Sequence, residues 1–351
     1  MFAYVGCYTS THRRGHGTGI AVYEMDPASG SWTLVQHVPD LVNPSFLALD
    51  RRQRVLYAAH GDEDYASAFA IDAITGRLTP LNRQSTGGKN GVHLAVDVTN
   101  RFLVVGNYAS GTVAALPIAR DGSLEPLSDL VTLTGTPGPD PVQQTSSHPH
   151  AVPFDRSGRY VVVPDKGFDK VFVFMLDATR GKLMAGYPPS VTARPGAAPR
   201  HADFHPTQPY AYVNNEMDST ITTYRFEPEQ SVIEPLQVIS TLPEGFSGKS
   251  TTAEIAVAPS GRFLYVSNRG HNTIAIFAVD PASGQLSPAG WEPAQGTTPR
   301  FFALDPSGTF LYVANQNSDT IIAFRVDPAT GALTPTGHVV QTGSPASIVF
   351  R

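Results

Sequence analysis

The sequence predicts an all-β fold, a seven-bladed β-propeller of four-stranded antiparallel blades. Three observations predict it: a two-strand pattern that recurs along the chain, a third strand after each copy, and chain ends that are complementary halves of one unit. The pattern reads NPSFLALDRRQRVLYAAHG (43–61), GVHLAVDVTNRFLVVGNY (91–108), PHAVPFDRSGRYVVVPDK (149–166), PRHADFHPTQPYAYVNNE (199–216), AEIAVAPSGRFLYVSNR (253–269) and PRFFALDPSGTFLYVANQ (299–316). Each copy is a short apolar strand, a polar turn often of the D-x-S-G-R type, and a second strand of the FLYV type. The second strands centre on Tyr57, Val104, Val162, Tyr212, Tyr265 and Tyr312.

The third strands are SAFAI, GTVAALPI, KVFVFML, TITTYRF, TIAIFAV and TIIAFRV. Alternation and β-branched residues mark them, and no segment keeps a helical period. Several turn through D-P-A-x-G (280–284, 327–331) into a poorer fourth strand, such as QLSPAG or ALTPTG. FAYVGCY (2–8) is a second strand with no first, and SPASIVF (344–350) is a first strand with no second. Joined, they complete a seventh unit and close the ring, which removes the free sheet edges of an open array. Two β-sandwiches would leave both the period and the complementary ends unexplained. The expected organisation is one propeller domain over residues 1–351.

Composition agrees. Of 351 residues, 41% are apolar, enough for a packed core, and only 16% are charged, too few for long helical surfaces. The 31 Gly and 30 Pro without a low-complexity tract suit a turn-dense β protein. A net charge of −5 with no basic arm argues against nucleic acid as a partner. No apolar run reaches the ~18 residues of a membrane helix, and MFAYVGCYTS has no basic n-region. Cys7 is the single cysteine, so an internal disulfide and a multi-cysteine metal site are excluded. Cys7 lies inside a strand and is read as core. The expected location is the cytoplasm. The oligomeric state is open, with a monomer favoured.

In an antiparallel blade, the start of the inner strand and the end of the second strand lie on one face, with the crossovers between blades. The turns of the other face are short and alike. This face carries long crossovers, 132–148, 185–199 and 240–253, which are expected to wall a pocket near units four to six. Inner strands begin with His93, His148, His150, Arg200, His201, Glu254 and Arg300, and second strands end with Tyr8, Tyr108, Lys166, Glu216, Arg269 and Gln316. A structural position repeats one residue type, and this one does not. The position before it is nearly constant (Asn107, Asp165, Asn215, Asn268, Asn315) and reads as a turn cap. An acidic protein that gathers cations on one rim suggests an anionic small molecule held by guanidinium groups.

The order PHAV, APRHADFHP, YVNNE, AEIAVAPSGRFLYVSNRGH and TPRFFALDPSGTFLYVANQ resembles the seven-bladed propeller lactonases. These are grouped with bacterial 6-phosphogluconolactonase and the fungal carboxymuconate-cyclising enzyme. The resemblance spans essentially the whole chain. It implies ring-opening of a sugar-acid lactone, 6-phosphogluconolactone foremost, or the related muconate lactonisation, with no metal or cofactor. Carried over by motif, the muconate branch's His, two Arg and Glu fall on His150, Arg200, Arg269 and Glu216, as catalytic candidates. The other rim residues, His93, Tyr108, His148, Lys166, His201, Glu254 and Arg300, are expected to bind the small anionic lactone. AAHGDEDYAS (58–67) departs from the Asn-Glu exit and longer loop expected of the phosphogluconolactonase branch.

Competing readings stay open for several of these residues. Arg200, Glu216 and Arg269 could form a rim salt-bridge network, His150 could be a packed strand histidine, and H-P-H could bind a metal with Glu216 or Asp165. Whether His150 or Glu216 is the acid/base is undecided, and a non-catalytic ligand-binding propeller is the third functional class. GFSGKS (245–250) is rejected as a P-loop, because Pro243 stands where its first glycine belongs and no helix pattern follows. GDEDY (61–65) lacks calcium-loop spacing, and no G-x-S-x-G elbow exists.

Overall fold

The computed structural model describes every residue except Ser231. Seven antiparallel sheets follow one another around a ring, six of four strands and one of three. The chain ends share a blade: Pro345–Phe350 pairs with Phe2–Cys7, which continues into Ile20–Met25 and Trp32–Val38. Val5 lies opposite Ile348 and Ala3 opposite Phe350. Counting this blade as one, the repeats read from the sequence are blades two to seven.

Second strands such as Val55–His60 and Phe102–Asn107 are buried at every position, because both faces meet a neighbouring blade. Fourth strands such as Leu78–Ser85 are mostly exposed, which explains their weak sequence signal. Seven apolar clusters result, one between each pair of neighbouring blades. Cys7 is in the cluster joining blades seven and one. Among the described residues no helix is long and apolar enough to cross a membrane.

A hydrogen bond repeats between blades. The buried tyrosine of a second strand donates its O–H to a glycine carbonyl in the outer turn of the next blade: Tyr4 to Gly76, Tyr57 to Gly122, Tyr212 to Gly284, Tyr265 to Gly331 and Tyr312 to Gly30, at 2.9–3.0 Å. The glycine is required. Gly284 has φ +69° and a Cβ there would lie 2.4 Å from the Tyr210 ring. Val104 and Val162 lack the hydroxyl. Ser128 Oγ bonds Gly181 O at 2.8 Å at the first of these joints, and the exposed Arg159–Glu229 pair spans the second at 2.6 Å.

Blade four departs from the expected four strands. Its inner segment touches Tyr160–Asp165 only through isolated bridges, Pro149 to Asp165 and Phe154 to Val161. Between the two bridges Pro153 and Pro164 have no N–H to give and Val152 N–H goes to His93 Nδ1, so a continuous ladder does not form.

In all six other blades the inner strand starts with a β-bulge, as between Pro199 and His201, Pro299 and Phe301 or Pro345 and Ser347. The bulge separates the first residues into two layers. The residue after the opening position (Ser45, Val92, Arg200, Arg300) borders the functional face, and the next one (Phe46, His201, Phe301) turns into the central channel.

We propose that the ring unfolds as one domain. Tyr312→Phe leaves the Gly30 carbonyl across the closure without its donor and is expected to lower stability by about 1–3 kcal/mol. Thermal unfolding followed by circular dichroism should show a single transition, shifted down.

Candidate active site

The end of each second strand is pinned by the same backbone bond. Its N–H reaches the carbonyl just before the inner strand: Gly61 to Asn43, Tyr108 to Asn90, Lys166 to His148, Glu216 to Ala198 and Gln316 to Thr298, at 2.7–3.0 Å. The preceding side chain caps the turn, as the sequence predicts. Asn215 Nδ2 donates to Thr220 and Thr222, Asn268 Nδ2 to Thr241 O, and Asp165 accepts from the backbone of His148, Gly167 and Phe168. The backbone is therefore placed by the repeat, and the exit side chain is free to vary.

Glu216 is the centre of the rim. Its Oε1 lies 2.9 Å from Lys166 Nζ and 3.3 Å from Arg269 Nη2. Its Oε2 lies 3.2 Å from Arg200 Nε and 4.0 Å from His150 Nε2. The carboxylate therefore faces groups from blades four, five and six. Arg200 also donates to Ala253 O, and Arg269 to Thr252 O at 2.8 Å. Lys166 reaches Gln143 Oε1 at 2.9 Å. Burial alone would push the Glu216 carboxyl up, but Arg269, Lys166 and Arg200 outweigh it and hold it well below the usual carboxylate range. Burial, with Arg269 nearby, brings Arg200 down to about 9, still charged at neutral pH. Burial, and then the Arg200 charge, keep His150 uncharged well below its ordinary value. His150 Nδ1 has no protein partner.

These groups border a cleft of about 190 Å³ lined by Tyr8, Arg13, Asn90, Val92, Tyr108, His150, Lys166, Glu216, Arg269 and Arg300. Beneath it a throat of about 10 Å³ leads into the channel between His150, Arg200, His201, Arg300, Phe46 and Phe301. A wider outer compartment of about 520 Å³ adjoins Glu216 and Lys166, bordered by Gln143, Leu242 and Gly248–Thr251. The rejected GFSGKS segment thus supplies part of its wall.

The four carried-over residues come together around Glu216, and Tyr108, Lys166 and Arg300 join them on the cleft wall. Four expected substrate contacts do not reach that wall. His93 lies one layer down, its ring 4.0 Å from that of Phe46, and accepts a hydrogen bond from Val152 N. Glu254 and His201 occupy the same lower layer, His201 at the throat and Glu254 behind it. One residue's step past the bulge turns all three into the channel. Burial lifts Glu254 to about 8, against the opposing Arg200 charge, and its carboxyl shares a hydrogen bond of 3.1 Å with His201 Nδ1. His148 is also off the wall. It stacks on Tyr108 at 4.4 Å and 10°, with Nδ1 on the Tyr108 carbonyl at 3.0 Å. The two imidazoles of H-P-H thus have separate surroundings, and among the described residues no trio of His, Cys, Asp or Glu is placed to hold a metal ion.

Of the three long crossovers, 132–148 and 240–253 border the outer compartment, through Gln143 and through Leu242 and Gly248–Thr251. The third does not. Most of it is the outer strand Lys182–Thr192, the longest in the ring. Arg13 replaces it as a wall and was missed because it is in a loop. The loop between the second and third strands of blade one, spanning 8–19, is far longer than its counterparts, and that length is the available signal. Arg13 is neutralised by Asp62, which also accepts from His12 and Asn43. Asn90 and Val92 were likewise not singled out.

The family model for the seven-bladed β-propeller lactonases matches residues 2–350. The chain belongs to this lactonase family. A 6-phosphogluconolactonase of Bacillus subtilis is 35% identical over 305 residues, covering 86% of this chain and 85% of that protein. A 6-phosphogluconolactonase of Formosa agariphila is 32% identical over 312 residues, with 86% and 85% covered. The solved structure of a periplasmic gluconolactonase from Pseudomonas aeruginosa superimposes on this lactonase with a TM-score of 0.91 at 34% identity, over 99% of this chain and 98% of that one.

Two stability effects follow from the lactonase's buried charges. Glu216→Gln leaves Lys166, Arg200 and Arg269 without their counter-ion, at an expected cost of about 3–5 kcal/mol. In wild type the Glu216 contribution is complete above about pH 4.3 and drains away as pH falls toward the lower folded value. Glu254 acts oppositely. Its folded value of about 8 lies above the unfolded one, so its contribution is lost as pH rises from about 4.3 to about 8. Glu254→Gln should therefore gain on wild type between pH 5 and pH 8, read as melting temperature against pH.

Proposed function

We propose that the protein hydrolyses a sugar-acid lactone, water attacking the lactone carbonyl and the ring oxygen leaving as a hydroxyl. The observation that carries this reading is the clustering of His150, Lys166, Arg200 and Arg269 around one ionised carboxylate, in a chain that matches the lactonase family along its length. The names of the relatives, 6-phosphogluconolactonase and gluconolactonase, support a sugar lactone as substrate.

In this reading His150 is the general base. Its imidazole is uncharged and its Nε2, at 4.0 Å, is beyond hydrogen-bond distance of Glu216, whereas three cations hold Glu216 ionised and make it a poor proton acceptor. His150 takes a proton from water as the hydroxide adds to the carbonyl carbon. Negative charge moves to the carbonyl oxygen, beside the remaining N–H groups of Arg269 and Arg200. The intermediate collapses, the ring C–O bond breaks, and His150 returns the proton to the leaving oxygen. The new carboxylic acid then loses its proton to solvent. Glu216 faces the imidazole and steadies the imidazolium that forms, as a carboxylate does for a histidine base. A contact of 4.0 Å is longer than a hydrogen bond and must shorten on binding. The outer compartment beside Glu216 and Lys166 is the route for water and for the departing sugar acid.

A cytoplasmic location belongs to this reading. The lone buried Cys7 leaves the fold independent of disulfide formation, and cell fractionation tests it.

A panel of aldonolactones tests the activity, with spontaneous opening subtracted. His150→Ala and Glu216→Gln should each lower turnover by about 10²-fold or more. Unchanged turnover in both would remove them from the mechanism.

A further inference from the structure

The cations at the cleft differ in how they are held. Arg13 is bound to Asp62 through Nε at 2.9 Å and through Nη2. Lys166, Arg200 and Arg269 share Glu216, and each also has an acceptor on a carbonyl or an amide. Arg300 has neither. Among the described residues no carboxylate lies within 4.0 Å of it and none accepts a hydrogen bond from its guanidinium. What holds it is the ring of Tyr8, 4.9 Å below its Cζ. Stacking on an aromatic face orients the plane of a guanidinium while leaving its edge N–H groups free.

Its place in the fold is also informative. Arg300 follows the opening proline of its inner strand, Pro299, as Arg200 follows Pro199 and His150 follows Pro149. It borders both the cleft and the throat. Blade seven is three blades around the ring from blade four, so Arg300 faces the His150–Lys166–Glu216 side from across the cleft. The charges do not balance. Arg13, Lys166, Arg200, Arg269 and Arg300 stand against Glu216 and Asp62, an excess of three positive charges. A neutral lactone compensates none of it. A phosphate monoester brings about −1.5 to −2 at neutral pH and three acceptor oxygens matched to a guanidinium fork.

Building on the lactonase reading, we propose that Arg300, held over the Tyr8 ring, binds a phosphate carried by the lactone away from its carbonyl. Arg300 thereby selects phosphorylated sugar lactones over unphosphorylated ones. The lactone carbonyl then sits at the His150–Glu216 side and the phosphate at the blade-seven side. Arg200 and Arg269 remain with Glu216 and the developing oxyanion.

The test compares wild type, Arg300→Met and Arg300→Lys on 6-phosphogluconolactone and on gluconolactone. Arg300→Met should lower the ratio of kcat/KM for the phosphorylated over the unphosphorylated lactone by about 10–100-fold, mainly through KM. Lysine should recover part of it. Equal losses on both lactones, carried by kcat, would make Arg300 an oxyanion contact and overturn the proposal, as would an unchanged ratio. A second measurement needs no turnover. The stable acids 6-phosphogluconate and gluconate are titrated against melting temperature. Wild type should be stabilised more by the phosphorylated acid, and Arg300→Met should abolish the difference. A preference that persists in Arg300→Met overturns the proposal. A wild type that prefers the phosphorylated acid but opens neither lactone refutes the lactonase reading alone.

Discussion

Tyr312 of the last blade donates to the carbonyl of Gly30 in the first, and Pro345–Phe350 pairs beside Phe2–Cys7. These contacts shut the ring. Once it is shut, seven inner strands must share one axis, and their opening residues share one rim. Residues 13, 108, 150, 166, 216, 269 and 300 are far apart along the chain and belong to different blades, yet they border one cleft of about 190 Å³. Apart from Arg13, which the 8–19 loop supplies, no long loop has to bring them together. The β-bulge at the start of an inner strand then decides which side chain meets the cleft and which meets the channel.

Within that frame the chemistry is organised by an imbalance of charge. One carboxylate, Glu216, serves three cations, and each cation is steadied by a second acceptor. Such a cluster is costly to bury unless every member is paired. Glu216 is thus fixed as an anion and is better suited to orienting and neutralising than to accepting a proton. The imidazole beside it has the complementary character, uncharged and with a free nitrogen. The lower layer repeats the theme without charge, as protonated Glu254 on neutral His201.

Much of this was legible in the sequence because the chain aligns with itself. The repeat exposed the position where Tyr108, Lys166, Glu216 and Arg269 replace one another, and the near-constant residue before it marked the turn cap. The complementary ends, FAYVGCY and SPASIVF, revealed the closure. What stayed hidden depends on geometry that the period does not encode. His201 and Glu254 look like rim residues beside Arg200, until a bulge turns them into the channel. Arg13 sits in a loop that has no counterpart in other blades. The broken inner ladder of blade four could have been anticipated from Pro153 and Pro164, which deny two amides to one pair of short strands.

Blade four combines two of these departures. Its inner segment is tied by isolated bridges, and its joints to blades three and five have Val104 and Val162 where the other five joints have a clamping tyrosine. The stiffness of the collar is therefore uneven around its circumference. The soft sector is the one that presents His150 and Lys166. The 4.0 Å gap between His150 and Glu216 lies in this same sector, on the side of the ring away from the closure.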